Sequence, residues 1–325
     1  MNSSKNNNYE RRARRFIRFA ICIFIFLTLV FIFNSTELYF GKIDPAIWGQ
    51  FGDIVGGLIG TIFSLVGVYL LFETLKEQRD TFVKQQIETR FFELLQLHKS
   101  NVEEMEYRDK RGRAVFNIIK DDFHYLFDYV GEEIYTEAKA KESGKSSKEW
   151  QSACIEIAYQ ILFYGLEKES FQHRKNSLKS IITDLALFDK LHYRYLDPLL
   201  SELKEKGIEY DLIWLVYEGH QARLGHYYRH LFQVVKYIDN QQLLSDTEKY
   251  HYIKVLRAQL STQEQALLLY NSLSNMGSPW KVNENREADL ITTYHLIKNI
   301  PAKYTGVINP KEYYPDVDYE DKQSF

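Results

Sequence analysis

Residues 54–72 read IVGGLIGTIFSLVGVYLLF, without a single charged side chain. A helix of that length in a soluble core ordinarily keeps a polar stripe, and this run has none. Upstream, residues 16–33 read FIRFAICIFIFLTLVFIF, apolar throughout apart from Arg18 near its start. At a rise of about 1.5 Å per residue the upstream run makes roughly 27 Å of helix, close to the thickness of a hydrocarbon core. A cleaved leader is the alternative for the first run. It is long for one, however, and no small-residue cleavage pattern follows it. The two runs therefore predict a transmembrane hairpin.

Basic residues orient the hairpin. Arg11, Arg12, Arg14, Arg15 and Arg18 crowd one side of the first run, while the loop across residues 34–53 holds only Lys42 as a basic residue. Both termini are then cytoplasmic and the loop is outside. The protein is expected to cross the membrane twice.

In the second run Gly52, Gly56, Gly60 and Ser64 recur every four residues and so share one helix face. Small residues at that spacing let another helix approach closely. The partner is either the first run or the same helix of a second copy, giving a homo-oligomer.

Beyond residue 72 the composition changes to charged and periodic sequence. With 6 Pro against 24 Tyr and 21 Phe, long stretches rich in Leu, Lys, Glu and Gln favour helices. The fold class is all-α: a two-helix membrane hairpin, a long connecting helix, and a cytoplasmic helical domain. Residues 1–72 form the N-terminal basic segment and hairpin, 73–110 the connecting helix, 111–303 the helical domain and 304–325 an acidic tail expected to be extended or disordered. Phe82, Ile87, Phe91, Leu94, His98, Val102 and Met105 stripe the connecting helix. Such a stripe is either a coiled-coil-like stalk or a face packed on the domain. A break is expected at residues 107–113. Further helices are expected at 114–130, 151–168, 174–195, 210–238, 245–273 and 286–298, with an exposed loop at 138–149.

Most chemistry is excluded. The two cysteines, Cys22 and Cys154, lie too far apart in kind and position to pair, and they form no zinc motif. A net charge of -3 argues against nucleic acid as a partner. Gly144-Lys145-Ser146 lacks the glycine a phosphate loop needs, since Lys139 stands there. His226 and His230 share a helix face four residues apart, but Tyr227 occupies the position of a zinc protease's general base and no third ligand is near. No metal or cofactor is expected.

Two resemblances remain. Arg223, six intervening residues and His230 are similar to the arginine–histidine motif of the HEPN ribonucleases, which implies an RNA-cleaving pair in that alternative. The wider resemblance rests on three stretches. They are Phe51-Gly52-Asp53 through Gly60-Thr61-Ile62-Phe63-Ser64 to Arg90-Phe91-Phe92-Glu93-Leu94-Leu95; Gly225-His226-Tyr227-Tyr228-Arg229-His230-Leu231-Phe232; and Leu256-Arg257-Ala258-Gln259-Leu260-Ser261 with Leu268-Leu269-Tyr270-Asn271 and Gly277. Together they resemble the AbiC-type phage abortive-infection family of bacteria. That implies a defence protein that stops phage multiplication at the expense of the infected cell, and it carries over no active site. His226, Tyr228, Arg229, Arg257, Gln259, Ser261 and Asn271 are then either a polar pocket for a phage-derived or host trigger, or a hydrogen-bonded network fixing helix register. The expectation is a non-catalytic effector that senses infection and perturbs the membrane. A passive scaffold that sequesters a phage component is the remaining alternative.

Overall fold

The uncharged run of residues 54–72 lies within one unbroken helix, α2 (Pro45–Glu103), of 59 residues. The computed structural model describes residues 2–34, 45–140, 147–165, 219–281, 289–301, 304–306 and 308–320. These are mostly helical. The chain divides into two compact units, Met1–Gln85 and Gln86–Phe325, and α2 contributes residues to both.

The first unit holds α1 (Asn2–Asn34) and the first part of α2. Two stretches, Arg15–Phe33 and one within Ala46–Glu103, are long and apolar enough to cross a membrane, and their side chains are almost wholly uncovered. Phe26, Phe33, Leu65 and Phe72 are among the exposed large apolar groups. The hydroxyls of Thr28 and Thr61 donate to the carbonyls of Phe24 and Gly57, four residues back, at 2.8 and 2.6 Å. Each polar group is thereby satisfied within its own helix, as a hydrocarbon environment requires. Phe31 of α1 stacks on Phe51 at 4.3 Å and meets Trp48 edge-on at 5.0 Å. The glycine face lies elsewhere: at Gly52, Gly56 and Gly60 no atom comes within 4 Å of where a Cβ would stand.

The second unit begins with the last turns of α2, where Ile87, Phe91, His98 and Val102 are buried and Phe92 and Leu97 are not. That periodicity of about four buries one face against the domain. Phe82, at the other end of the expected stripe, is exposed. The break after Glu103 is a tight hairpin, β1 (Glu106–Tyr107) paired antiparallel with β2 (Lys110–Arg111). Arg108 takes a left-handed φ of 55° at its tip.

Helices α3 (Ala114–Ala140) and α4 (Ser147–Tyr164) make the most extensive pairing among the described residues of the domain. Residues 138–140 and 147–149, expected as loop, belong to these two helices, and residues 141–146 lie outside the described residues. A long helix α5 (Gln221–Asp239) follows. The expected helix at 174–195 and the start of the one at 210–238 also lie outside the described residues. The single helix expected at 245–273 is instead two, α6 (Asp246–Arg257) and α7 (Thr262–Leu273). Each carries its own capping box, Ser245 with Glu248 and Ser261 with Glu264, and these reciprocal bonds stop one helix and start the next. α7 packs on both α3 and α4, and its Leu267, Leu268 and Leu269 are fully buried.

A 3₁₀ turn (Asn275–Gly277) leads into the short α8 (Ser278–Lys281). The helix expected at 286–298 shortens to α9 (Leu290–Tyr294), started by an Asp289 cap and stopped by His295 at φ 48°. The described part of the acidic tail, residues 308–320, is neither extended nor disordered. It forms α10 (Pro310–Tyr313) and buries Tyr314 and Val317, while Lys298 pairs with Asp318 and the Asn299 amide donates to Glu320. Apolar anchors spaced through the acidic stretch outweigh its charge.

Candidate functional site

α5 organises the most polar part of the domain. Its start is fixed by Gly219, at φ +62°, where a Cβ would stand 2.3 Å from the Gly165 nitrogen and 2.5 Å from the Phe163 carbonyl oxygen. Only glycine fits such an approach. From there Leu224, Tyr227, Tyr228, Leu231, Val234, Val235 and Ile238 face inward at helical spacing. On either side of that buried stripe the helix borders a cleft.

The first cleft, about 400 Å³, is lined by Asn101, Glu104, Met105, Glu106, Gly219, Ala222, Arg223, His226 and Tyr227. Arg223 donates from Nε to the Glu106 carbonyl at 2.9 Å, and its guanidinium sits 4.6 Å from the Tyr107 ring centre. Arg108 lies over the same ring at 4.9 Å. Behind Tyr107, the fully buried His220 meets that ring edge-on at 4.7 Å and stands 3.6 Å from the Asp122 carboxylate. Burial lowers the His220 pKa, against the opposing pull of Asp122. At 3.6 Å the pair is an ion-pair contact only when His220 is protonated, and it is too long for a good hydrogen bond.

His230 has different surroundings. Its ring stacks on His98 at 5.9 Å and 18°. His98 is buried, and burial, helped by His230 and Arg113, pushes its pKa down to about 4, so the ring is neutral at ordinary pH. Arg223 thus bonds to the β1 hairpin, whereas His230 stacks on the α2 histidine.

The second cleft, about 360 Å³, is lined by Phe163, Tyr164, Gln221, Gly225, Tyr228, Arg229, Phe232, Asn271, Met276, Pro279 and Trp280. Asn271 is its keystone. Its amide donates to the Tyr159 hydroxyl at 2.9 Å, its side-chain oxygen accepts from the Trp280 indole at 3.1 Å, and its carbonyl accepts from Ser274 at 2.7 Å. Tyr228 is buried beside it, with its hydroxyl turned toward that of Tyr159. Burial, then the neighbouring Tyr159 and Tyr227 hydroxyls, raise the Tyr228 pKa well above its ordinary value. Asn271→Ala strips partners from two buried groups, so thermal melting should show a loss of about 2–4 kcal/mol. An unchanged midpoint would mean that Tyr159 and Trp280 do not depend on this amide.

The seven residues singled out as a polar pocket fall in three places. His226 lines the first cleft, whereas Tyr228, Arg229 and Asn271 line the second. Arg257, Gln259 and Ser261 mark the corner between α6 and α7. Arg257, buried, donates to the carbonyls of Tyr294 and His295, both at 3.1 Å, and so caps α9. Gln259 is exposed and contributes its carbonyl, which accepts from Arg113 at 2.6 Å. Ser261 is the α7 cap. Sequence reasoning passed over Glu264, which is 1% exposed and accepts from the Tyr227 hydroxyl at 3.1 Å and the Ser261 amide at 2.8 Å. The spacing of Ser261 and Glu264 was the readable signal for it. Among the described residues no cluster of three or more His, Cys, Asp or Glu side chains could hold a metal ion.

These features define a mostly helical domain built around one tyrosine- and histidine-rich helix, in a chain that also carries two apolar helices of membrane-crossing length. Residues 219–304 match the model of the family described as "putative phage abortive infection protein". The resemblance to that family is thereby borne out over α5 to α9, which contain the second and third of the stretches that carried it. The first stretch, in α2, lies outside the match. No curated protein and no solved structure matches the chain.

Proposed function

We propose that the protein is a membrane-anchored effector of phage abortive infection, acting without catalysis. The observation that carries this reading is the family match at residues 219–304 in the same chain as two uncovered apolar helices. The helices cross the bacterial inner membrane, with Arg11, Arg12, Arg14, Arg15 and Arg18 holding the N-terminal end in the cytoplasm. The helical domain senses a phage-derived or host trigger. Copies then associate through Gly52, Gly56, Gly60 and Ser64, and the repacked helices make the membrane leak. The open space along that face supports an intermolecular partner over α1.

The test records membrane potential and RNA integrity together in phage-challenged cells. The expected result is a fall in potential before lysis, with RNA intact. Protection with potential maintained throughout would overturn the leak, and RNA cleavage at steady potential would point instead to a nuclease.

A further inference from the structure

We infer that α2 pairs with the same helix of a second copy beyond the bilayer, as a parallel coiled coil. Its seam is not the face that packs on the helical domain. Leu75, Gln78, Phe82, Gln85, Thr89 and Phe92 recur at alternating steps of three and four, which is heptad spacing. Upstream the same spacing runs through Leu71 and Val68 to Ser64, on the side of the helix that carries Gly60. From Ser64 to Phe92 the pattern holds for about four heptads, long enough to specify a coiled coil. All of these positions are exposed. Leu75, Phe82 and Phe92 are 51%, 59% and 48% exposed, whereas Phe91, one residue off the seam, is fully buried.

Charge identifies the occupant as a second copy. Residues 73–93 carry nine charged side chains, and none of them falls on the seam. In a parallel pair of identical helices each seam residue meets itself, so a charge there would face its like. A different partner could answer a seam charge with its opposite, and the seam would have no need to exclude both signs. Gln78 and Gln85 suit the same geometry. A side-chain amide both donates and accepts, so it can bond to its own copy and fix the register. Lipid does not cover this surface: Phe82 stands about 15 Å beyond Phe72 along the helix and Phe92 about 30 Å, past the headgroup layer. The inference deepens the proposed assembly and rests on the hairpin reading for one point, that both copies leave the membrane in the same direction. Paired copies hold their glycine faces as neighbours from the start, so association through them needs a shift in packing and not a new encounter.

The test is disulfide cross-linking of the full-length protein in native membranes, with Cys22 and Cys154 first replaced by alanine. Gln78→Cys and Gln85→Cys should each give a covalent dimer on mild oxidation. Lys76→Cys and Asp80→Cys, around the helix from the seam, should cross-link about tenfold more slowly or less, because their Cβ atoms stand too far apart. Phe82→Lys sets like charges across the seam and should slow the Gln85→Cys cross-link about tenfold without lowering the thermal midpoint. No dimer at the seam positions, or equal rates at seam and far-side positions, would overturn the inference. So would loss of the cross-links in Gly56→Leu with Gly60→Leu, which would place the pairing in the membrane span alone. Cross-links that persist while the membrane potential of phage-challenged cells never falls would uphold the seam and defeat the leak.

Discussion

Gly277→Ala should destabilise the helical domain by about 3 kcal/mol or more, at the upper end of what overpacking costs. A Cβ at this position would stand 2.1 Å from the Asn271 carbonyl oxygen and 2.5 Å from its carbonyl carbon. Both are backbone atoms of a buried helix, so they cannot swing aside as the tip of a long side chain would. Moving them shifts Asn271, and with it the Tyr159 hydroxyl and the Trp280 indole that its side chain holds. The clash therefore reaches the wall of the second cleft and the end of α7 together. Thermal melting followed by far-ultraviolet circular dichroism measures the loss. A variant that melts with the parent would show that the 275–277 turn does not press on α7 as described.

The double replacement Gly56→Leu and Gly60→Leu should leave the protein expressed and helical while returning phage plaquing to the level of cells without it. Each leucine enters space with no atom within 4 Å, so nothing in the chain itself resists it. Leucine also favours a helix over glycine by roughly 0.8 kcal/mol per residue. Any functional loss then reports a partner that needed the close approach. Gly57→Leu supplies the control, because that glycine is equally open but lies about 100° around the helix from Gly56. Undiminished protection in the double variant would sink assembly through this face. Equal loss from Gly57→Leu would mean that bulk anywhere on the helix is harmful.

Element type was readable where periodicity was long and uninterrupted. The apolar runs, the striped end of α2 and the inward face of α5 all declare helices in their spacing. Boundaries failed where a short polar signal had to outweigh a favourable average. Residues 258–261 carry Ala, Gln, Leu and Ser, none of which forbids a helix, so the break between α6 and α7 rests on the Ser261 and Glu264 pair. The tail was misjudged for a related reason: net acidity describes its surface, whereas Ile308, Tyr314 and Val317 decide where it lies. At the candidate site, the residue types of α5 and α7 were legible but their partners were not. Asn271 meets Tyr159, 112 residues away, and Arg223 meets Glu106, 117 away. Contacts of that separation belong to tertiary packing, and no local pattern announces them.

The folded-back tail has a bearing on how other molecules reach it. Residues 308–320 look, as bare sequence, like an acidic tyrosine-bearing peptide of the kind that adaptor modules seize. A module that reads such a segment in extended form would first have to pull Tyr314 and Val317 out of the domain. Re-exposing two side chains of that size costs about 3–5 kcal/mol. Affinity for the intact protein would then fall roughly two to four powers of ten below that for the free peptide. Short synthetic copies of this stretch would accordingly overstate what the whole molecule can bind.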